Sequence, residues 1–191
     1  ASGAAWDAVQ AVAHHPELEL RGVHCHIGSQ IFGSEAHEIA TDRLVGFMAK
    51  YRDSFGTELP ELDLGGGFGI AYVEGDVTVE PDDVLPQIHA AVKKACAEHK
   101  LAMPKVSLEP GRNIVGPTMF TLYEVGTVKD VVIEGGNVRK YVSVDGGMSD
   151  NARTALYDAE YTAVIAQRVS TAPLALTRLV GKHCETGDII I

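Results

Sequence analysis

The chain has 191 residues, 46% of them hydrophobic and 22% charged, and its 16 basic and 26 acidic residues give a formal net charge of −10 at pH 7. This composition is close to that of soluble globular domains and excludes a disordered, collagen-like or coiled-coil chain. The negative charge argues against nucleic acid and anionic membranes as partners, and no apolar stretch is long enough to predict a membrane span or a signal peptide.

Up to about residue 117 the sequence alternates between amphipathic helices and short apolar strands, which is typical of βα units around a parallel sheet. Apolar residues at helical spacing predict helices over residues 2–15, 35–55 and 82–99. Short apolar runs predict strands over residues 19–26, 61–64 and 105–109. Ligands bind at the C-terminal ends of parallel strands in such folds, so we look for the site there.

Beyond residue 117 the helical spacing disappears and β-rich runs separated by glycine turns replace it. These runs predict strands over residues 120–133, 140–144, 161–169, 174–180 and 188–191. We therefore expect an α/β domain over residues 1–117 and a β-rich domain over residues 118–191.

The two termini bear on whether the chain is part of a longer polypeptide, and the cysteines bear on the redox compartment of the protein. The chain begins without Met and ends on three isoleucines, so we expect it to be an excerpt of a longer polypeptide. A natural gene product of 20.4 kDa would refute that expectation. The three cysteines, Cys25, Cys96 and Cys184, have no CxxC spacing, which favours a reducing cytoplasm over a disulfide framework.

His24 and His26 lie two residues apart on the first predicted strand, so both side chains are expected to face the same side. A His-x-His pair at a barrel strand end can hold a metal ion. The alternative is a pair of histidines hydrogen-bonded inside a polar barrel. The other strand ends offer glycines and one Glu instead of further metal ligands, so no metal site is assigned.

Gly65, Gly66 and Gly67 follow the second predicted strand. Consecutive glycines favour positive φ or close approach of a ligand, and their successive N–H groups form an anion-binding nest that suits phosphate. A tight turn without a ligand is the alternative. Neither GxGxxG nor the P-loop pattern is present, so the motif does not predict a nucleotide site.

The third predicted strand ends in Glu109, followed by Arg112. The carboxylate can hold a positive charge on a ligand nitrogen, and the guanidinium can bind a phosphate or carboxylate through two parallel hydrogen bonds. An internal ion pair is the alternative. Residues 150–157 are predicted as a solvated turn. Cys184 is predicted as a structural thiol, because no neighbouring cation would activate it.

Five motifs carry a resemblance to a known family: GVHCHIGSQIF (22–32), LDLGGGFGI (62–70), EPGRNIVGP (109–117), YVSVDGGMSDNARTALYDAEY (141–161) and GKHCETGDI (181–189). Taken together, they resemble the diaminopimelate decarboxylases, which belong to the fold-type III, alanine-racemase-like pyridoxal phosphate (PLP) enzymes. The last two motifs are more particular to this family, whereas the first three also occur in ornithine and arginine decarboxylases. The resemblance implies the C-terminal part of a PLP-binding (β/α)8 barrel followed by the first part of a β-rich C-terminal domain.

The resemblance implies roles for three catalytic residues. His26 is similar to the imidazole that stacks on the PLP ring, and Glu109 to the carboxylate that keeps the pyridine nitrogen protonated. Cys184 resembles the acid that returns a proton to the α-carbon. The residues implied at the cofactor phosphate are Ser29, Gly65, Gly66, Gly67, Gly111 and Arg112.

The implied substrate is meso-2,6-diaminopimelate, and the products are L-lysine and CO2. Arg112, Arg153 and Tyr157 resemble the clamp for its distal carboxylate, and Glu185 the partner of its distal ammonium. Ornithine has no distal carboxylate, so Arg153 would then be an unpaired charge. Thr186 stands where Ser is commoner, but its hydroxyl is retained.

Two further implications concern the whole enzyme. In this family the CE-[ST]-GD segment reaches the active site of the other subunit, which implies a homodimer with shared sites. The family's Schiff-base lysine would precede residue 1, and a C-terminal tyrosine would follow residue 191. Lys105 begins a predicted strand and so lies at the wrong end. We therefore expect that this chain alone does not decarboxylate.

Three alternatives remain open at this point. One is another fold-type III decarboxylase or a racemase that acts on a different amino acid. Another is a metal-dependent barrel hydrolase built on His24 and His26. The third is a non-catalytic, β-rich dimerisation module that shares the motifs.

Overall fold

The computed structural model of the chain describes residues 2–191. Two compact units are present. The first comprises the described residues up to Ile70 together with Val77–Thr118, and the second comprises Ala71–Asp76 together with Met119–Ile191. Each has a three-stranded sheet of its own. Among the described helices, none combines the length and the hydropathy that a membrane-spanning helix requires.

The first unit is built on a parallel sheet with its strands in chain order. One helix connects each pair of neighbouring strands, which confirms the predicted βα alternation. The strands are β1 (Gly22–His24), β2 (Glu61–Asp63) and β3 (Lys105–Ser107). The helices are α1 (Ala4–Ala13), α2 (Glu35–Phe55), α3 (Pro81–His99) and α4 (Gly111–Val115), the last continued by a 3-10 turn at Gly116–Thr118.

Helix α2 begins and ends where the sequence predicts. Acidic Glu35 and Glu38 in its first turn interact favourably with the helix dipole, and Gly56 ends it with a φ of 73°. Helix α3 begins one residue earlier than predicted, because Pro81 occupies a first-turn position where its missing N–H is not needed. Both helices cover the sheet and complete one apolar core. Its buried members include Val45, Met48, Leu62, Leu64, Ile88 and Val92.

The three strands are shorter than predicted, because each leaves the regular ladder after three residues. The backbone then turns into the loops that carry the unusual residues. Single hydrogen bonds still join these segments beyond the strand ends, from the N–H groups of Cys25, Leu64 and Glu109 to the carbonyls of Asp63, Ser107 and Gly65.

The second unit contains a mixed sheet. Strands β4 (Val125–Val132) and β5 (Val138–Val144) pair antiparallel, and β6 (Thr177–Val180) pairs parallel with β5. Gly135 and Gly136, with φ of 81° and 78°, provide the turn between β4 and β5.

Three predictions for the second unit are wrong. Residues 161–169 form no strand: they are almost all exposed, and within the described chain they have no ladder partner. Residues 188–191 contribute a single isolated bridge, between Ile189 and Val180. The predicted solvated turn at residues 150–157 contains a short helix, α5 (Arg153–Tyr157). An apolar run forms a strand only where a partner strand is available.

Candidate active site

The glycine segment directly after β2 is the centre of the candidate site. Gly65 and Gly67 have positive φ values of 68° and 94°. The Gly65 N–H donates to Asp63 Oδ1 at 2.8 Å. Across residues 2–191, the N–H groups of Gly66 and Gly67 donate to no protein acceptor. Two free N–H groups in succession are what an anion-binding nest requires.

Glycine is needed at residues 65–67 because the backbone packs against neighbouring strand ends. A Cβ on Gly65 would lie 2.3 Å from the Cys25 carbonyl oxygen and 3.1 Å from the His26 Cα. A Cβ on Gly66 would lie 2.1 Å from the Glu109 carbonyl oxygen. The structure therefore brings the backbones of His26, Gly66 and Glu109 to one edge of the sheet.

At this edge, the Glu109 carboxylate is paired with a histidine. His24 Nε2 lies 3.3 Å from Glu109 Oε2, and both side chains are about half exposed. One atom from each of His24, Asp63 and Glu109 falls within 4.8 Å of the others. His26 is not a member of that group and lies beyond the last residue of β1.

The remaining cofactor candidates lie in loops at the same strand ends. Ser29 is exposed and follows Gly28, which has a φ of 142°. Gly111 begins α4 and has open space where a Cβ would point. Arg112 is half-buried, and its Nη1 is fully buried with no hydrogen-bond partner among the described residues. A guanidinium nitrogen in that state is a ready donor for an anion.

In the second unit, α5 presents Arg153 and Tyr157 one helical turn apart. Arg153 Nε donates to the Tyr161 hydroxyl at 3.0 Å. Its guanidinium carbon lies 5.7 Å from the Tyr157 ring centroid and 6.0 Å from that of Tyr72. The side chain is therefore held by an aromatic cluster, and its fork of Nη donors remains for another acceptor.

Cys184 and Glu185 are exposed in the loop after β6, so the local prediction that Cys184 is a buried structural thiol is wrong. Asp188 anchors that loop: its buried carboxylate accepts the Met148 N–H at 2.5 Å and the His183 N–H at 2.6 Å. Burial raises the pKa of the Asp188 carboxyl, but the two backbone donors, together with the nearby His183 and Lys182 side chains, hold this pKa below its ordinary value. The ionised carboxylate therefore ties the Cys184 loop to the segment after β5.

Four residues that matter to the site were not singled out from the sequence. Asp63 accepts a hydrogen bond from the residue two positions later, a turn that an Asp two places before Gly could have indicated. Tyr161 and Asp188 act through contacts distant in sequence, which no local pattern reveals. His37 is buried next to the glycine segment, and its contact with Gly66 is also distant in sequence.

The sequence of the chain matches known proteins over its whole length. Residues 2–116 match the pyridoxal binding domain of the pyridoxal-dependent decarboxylases, and residues 112–191 match their C-terminal sheet domain. The chain is 47% identical over 191 residues to the diaminopimelate decarboxylase of Corynebacterium efficiens. It is 48% identical over 195 aligned residues to that of Mycobacterium tuberculosis. These matches confirm the resemblance seen in the motifs.

Comparison with solved structures supports the same family. The crystal structure of diaminopimelate decarboxylase from M. jannaschii in complex with L-lysine superposes with a TM-score of 0.78 at 28% identity, covering 98% of this chain and 41% of that one. The two curated relatives are matched over 100% of this chain and over 42% and 44% of their own length. Because both halves of the sequence match successive domains of a single enzyme family, the chain belongs to the pyridoxal-dependent decarboxylases.

Proposed function

We propose that the whole protein containing residues 1–191 decarboxylates meso-2,6-diaminopimelate to L-lysine and CO2 with pyridoxal 5′-phosphate, the cofactor of this family. The observation that carries the proposal is the 47% identity to the Corynebacterium efficiens diaminopimelate decarboxylase across all 191 residues. The solved relative from M. jannaschii binds L-lysine, which is the product of the proposed reaction.

The residues present fit the phosphate of this cofactor. The Gly67 N–H and the Arg112 Nη1 both lack an acceptor within the described residues. Backbone N–H groups and guanidinium nitrogens are the donors that phosphate oxygens accept from. We therefore assign the phosphate to Ser29, Gly65, Gly66, Gly67, Gly111 and Arg112.

We assign His26 to the face of the cofactor ring and Glu109 to its pyridine nitrogen. The packing of Gly65 against His26 and of Gly66 against Glu109 supports their reaching one ring-sized ligand. The His24 contact with Glu109 orients the carboxylate, so that it can hold a proton on the ring nitrogen. When bound, the cofactor supplies an electron sink for the electron pair left by the departing CO2.

We assign substrate recognition mainly to charged side chains. Arg112, Arg153 and Tyr157 bind the distal carboxylate, and Glu185 binds the distal ammonium. The Tyr161 bond to Arg153 Nε supports this role, because it fixes the guanidinium while sparing its Nη donors. An ornithine-type substrate would leave that charge without a partner.

Cys184 is assigned as the acid that donates a proton to the α-carbon after CO2 leaves. Its exposure and the anchoring of its loop by Asp188 support this role. By resemblance, that loop serves the active site of a second subunit, so we propose a homodimer. We also propose a cytoplasmic protein in which residues 1–117 complete a (β/α)8 barrel and residues 118–191 begin the β domain.

The proposal is tested by measuring CO2 release from meso-diaminopimelate, L-ornithine and L-lysine by the purified whole protein with pyridoxal phosphate. We expect CO2 and an equal amount of L-lysine from meso-diaminopimelate alone, at a rate that EDTA leaves unchanged. Faster release from L-ornithine, or racemisation without CO2, would contradict the substrate. Loss of activity with EDTA would favour the metal-dependent alternative.

A further inference from the structure

His37 lies in the first third of α2, and no part of its side chain is exposed. Its Nε2 is 3.2 Å from the carbonyl oxygen of Gly66. Its ring stacks on that of Phe68, with centroids 5.0 Å apart and planes 3° from parallel. The His37 side chain therefore connects helix α2 to the glycine segment at residues 65–67.

The Gly66 carbonyl can only accept, so Nε2 carries the hydrogen of this imidazole. The other ring nitrogen, Nδ1, is buried and has no hydrogen-bond partner in residues 2–191. A phenylalanine would make the same stack without burying an unbonded nitrogen, which costs free energy. The feature that histidine adds at this position is therefore its bond to Gly66.

That bond fixes the orientation of one peptide group. All described peptide bonds are trans, so the Gly66 carbonyl and the Gly67 N–H point in opposite directions. With the carbonyl held toward α2, the Gly67 N–H is directed away from the helix. Glycines rotate more freely than other residues, and this peptide would otherwise have no side chain of its own to hold it.

We propose that His37 is a positioning residue that orients the Gly66–Gly67 peptide so that its N–H donates to the phosphate of the cofactor. This inference rests on the proposed cofactor site. It assigns to His37 no contact with the cofactor and no part in proton transfer. Its effect is therefore confined to the phosphate and leaves recognition of the ring unchanged.

The experiment compares the affinity of the apo form of the whole protein for pyridoxal 5′-phosphate and for pyridoxal, which lacks the phosphate, by equilibrium dialysis. His37→Phe keeps the ring stack and removes the donor. His37→Gln places an amide N–H near the original Nε2, and His37→Asn carries the same amide too far back to reach Gly66. Thr41→Val is the matched control, since Thr41 has the other buried, unpartnered polar atom of α2.

We expect His37→Phe and His37→Asn to weaken pyridoxal phosphate binding by about tenfold, the effect of losing one hydrogen bond to an anion, while pyridoxal binding changes less than about twofold. His37→Gln and Thr41→Val should keep both affinities near those of the unmodified protein. Should His37→Phe fail to fold, the Gln and Asn pair decides the question alone.

Equal weakening of both ligands by His37→Phe or His37→Asn would mean a general structural role and overturn the inference, as would no weakening at all. Failure of the unmodified whole protein to bind pyridoxal phosphate would overturn the proposed function itself, and the inference with it. The two failures are thus distinguishable by which protein shows them.

Discussion

In the proposed reaction, we expect substrate discrimination to depend most on Arg153. Its Nε is bonded to Tyr161, and aromatic rings flank its guanidinium, so the charge is held in one place before any ligand arrives. Preorganised charge-assisted hydrogen bonds contribute roughly 1.5–3 kcal/mol each. A carboxylate bound through both Nη groups would gain two such bonds.

We expect Arg153→Ala in the whole protein to lower kcat/KM for meso-diaminopimelate by about 100-fold or more, because charge-assisted bonds to the distal carboxylate are lost. Steady-state measurement of CO2 release checks this. The control is Arg168→Ala, which removes an exposed arginine of the loop before β6. An unchanged kcat/KM in Arg153→Ala would remove this residue from substrate binding.

The Asp188 carboxylate makes stability depend on pH. Its pKa is lower in the folded chain than in the unfolded one, since the backbone donors Met148 and His183 and the nearby His183 and Lys182 side chains together outweigh burial. A lowered carboxyl pKa stabilises the fold above the unfolded value, and that contribution is lost as pH falls through the folded value. We expect Asp188→Asn to cost about 1.5–3 kcal/mol of unfolding free energy at pH 7.

Urea denaturation at several pH values measures this effect. The difference between the unmodified chain and Asp188→Asn should be constant above about pH 5 and shrink below about pH 4, near the ordinary carboxyl pKa. Glu160→Gln, at an exposed carboxylate, should show no such difference. A difference as large at pH 3 as at pH 7 would refute the role of the ionised Asp188.

Sequence patterns place Glu109 and the glycines at strand ends, but they do not predict the partner of His24. The spacing of His24 and His26 predicts a shared face only while both lie in a strand, and β1 ends at His24. The observed partner of His24 is Glu109, 85 residues later in the sequence. Contacts of this kind depend on which strands become neighbours, and no local pattern carries that information.

Among the secondary-structure elements, the glycine segment at residues 65–67 allows the ends of three strands to pack closely together. A Cβ on Gly66 would meet the Glu109 carbonyl oxygen at 2.1 Å, and a Cβ on Gly67 would meet that of Gly28 at 2.2 Å. These contacts are with backbone, which cannot rotate out of the way. The arrangement of the proposed phosphate site therefore depends on the absence of side chains here.

We expect Gly66→Ala to destabilise the fold by about 1–3 kcal/mol, because the added methyl forces β2 and β3 apart at their ends. Chemical denaturation measures the loss. The matched control is Gly46→Ala in the interior of α2, where a Cβ would meet only the His99 ring at an ordinary 3.7 Å. That variant should gain about 0.5–1 kcal/mol. Equal effects in both variants would contradict the close packing of the glycine segment.

Helices were predicted better than strands, and the reason is physical. Helix α2 has its acidic first turn and its terminal glycine within the segment itself, so local sequence determines both ends. Strands need partners, and the apolar run at residues 161–169 has none among the described residues. The helical α5 was missed because five residues carry too little periodicity to detect.

In the molecule as a whole, the positions of the lysines bear on whether this chain can attach the cofactor covalently. Lys105 is the first residue of β3, at the opposite end of the strand from Glu109. No lysine of the described chain follows the C-terminal end of β1, β2 or β3 before the next helix begins. We therefore propose, from the family resemblance, that the lysine for covalent attachment of the cofactor lies in another part of the whole protein.

We expect the 191-residue chain alone, supplied with pyridoxal phosphate, to release no CO2 from meso-diaminopimelate above background, whereas the whole protein does. A CO2 assay of both proteins side by side checks this. Circular dichroism of the isolated chain serves as the control for folding. Turnover by the isolated chain at a rate near that of the whole protein would show that its own residues suffice.

We propose that the C-terminal ends of β1, β2 and β3 bind pyridoxal phosphate. A crystal structure of the whole protein with this cofactor would test that site. We predict that the phosphate accepts the Gly67 N–H and that the pyridine nitrogen lies within hydrogen-bond distance of the Glu109 carboxylate, with the His26 ring against the cofactor. A cofactor bound in contact with none of these three residues would show that the site lies elsewhere.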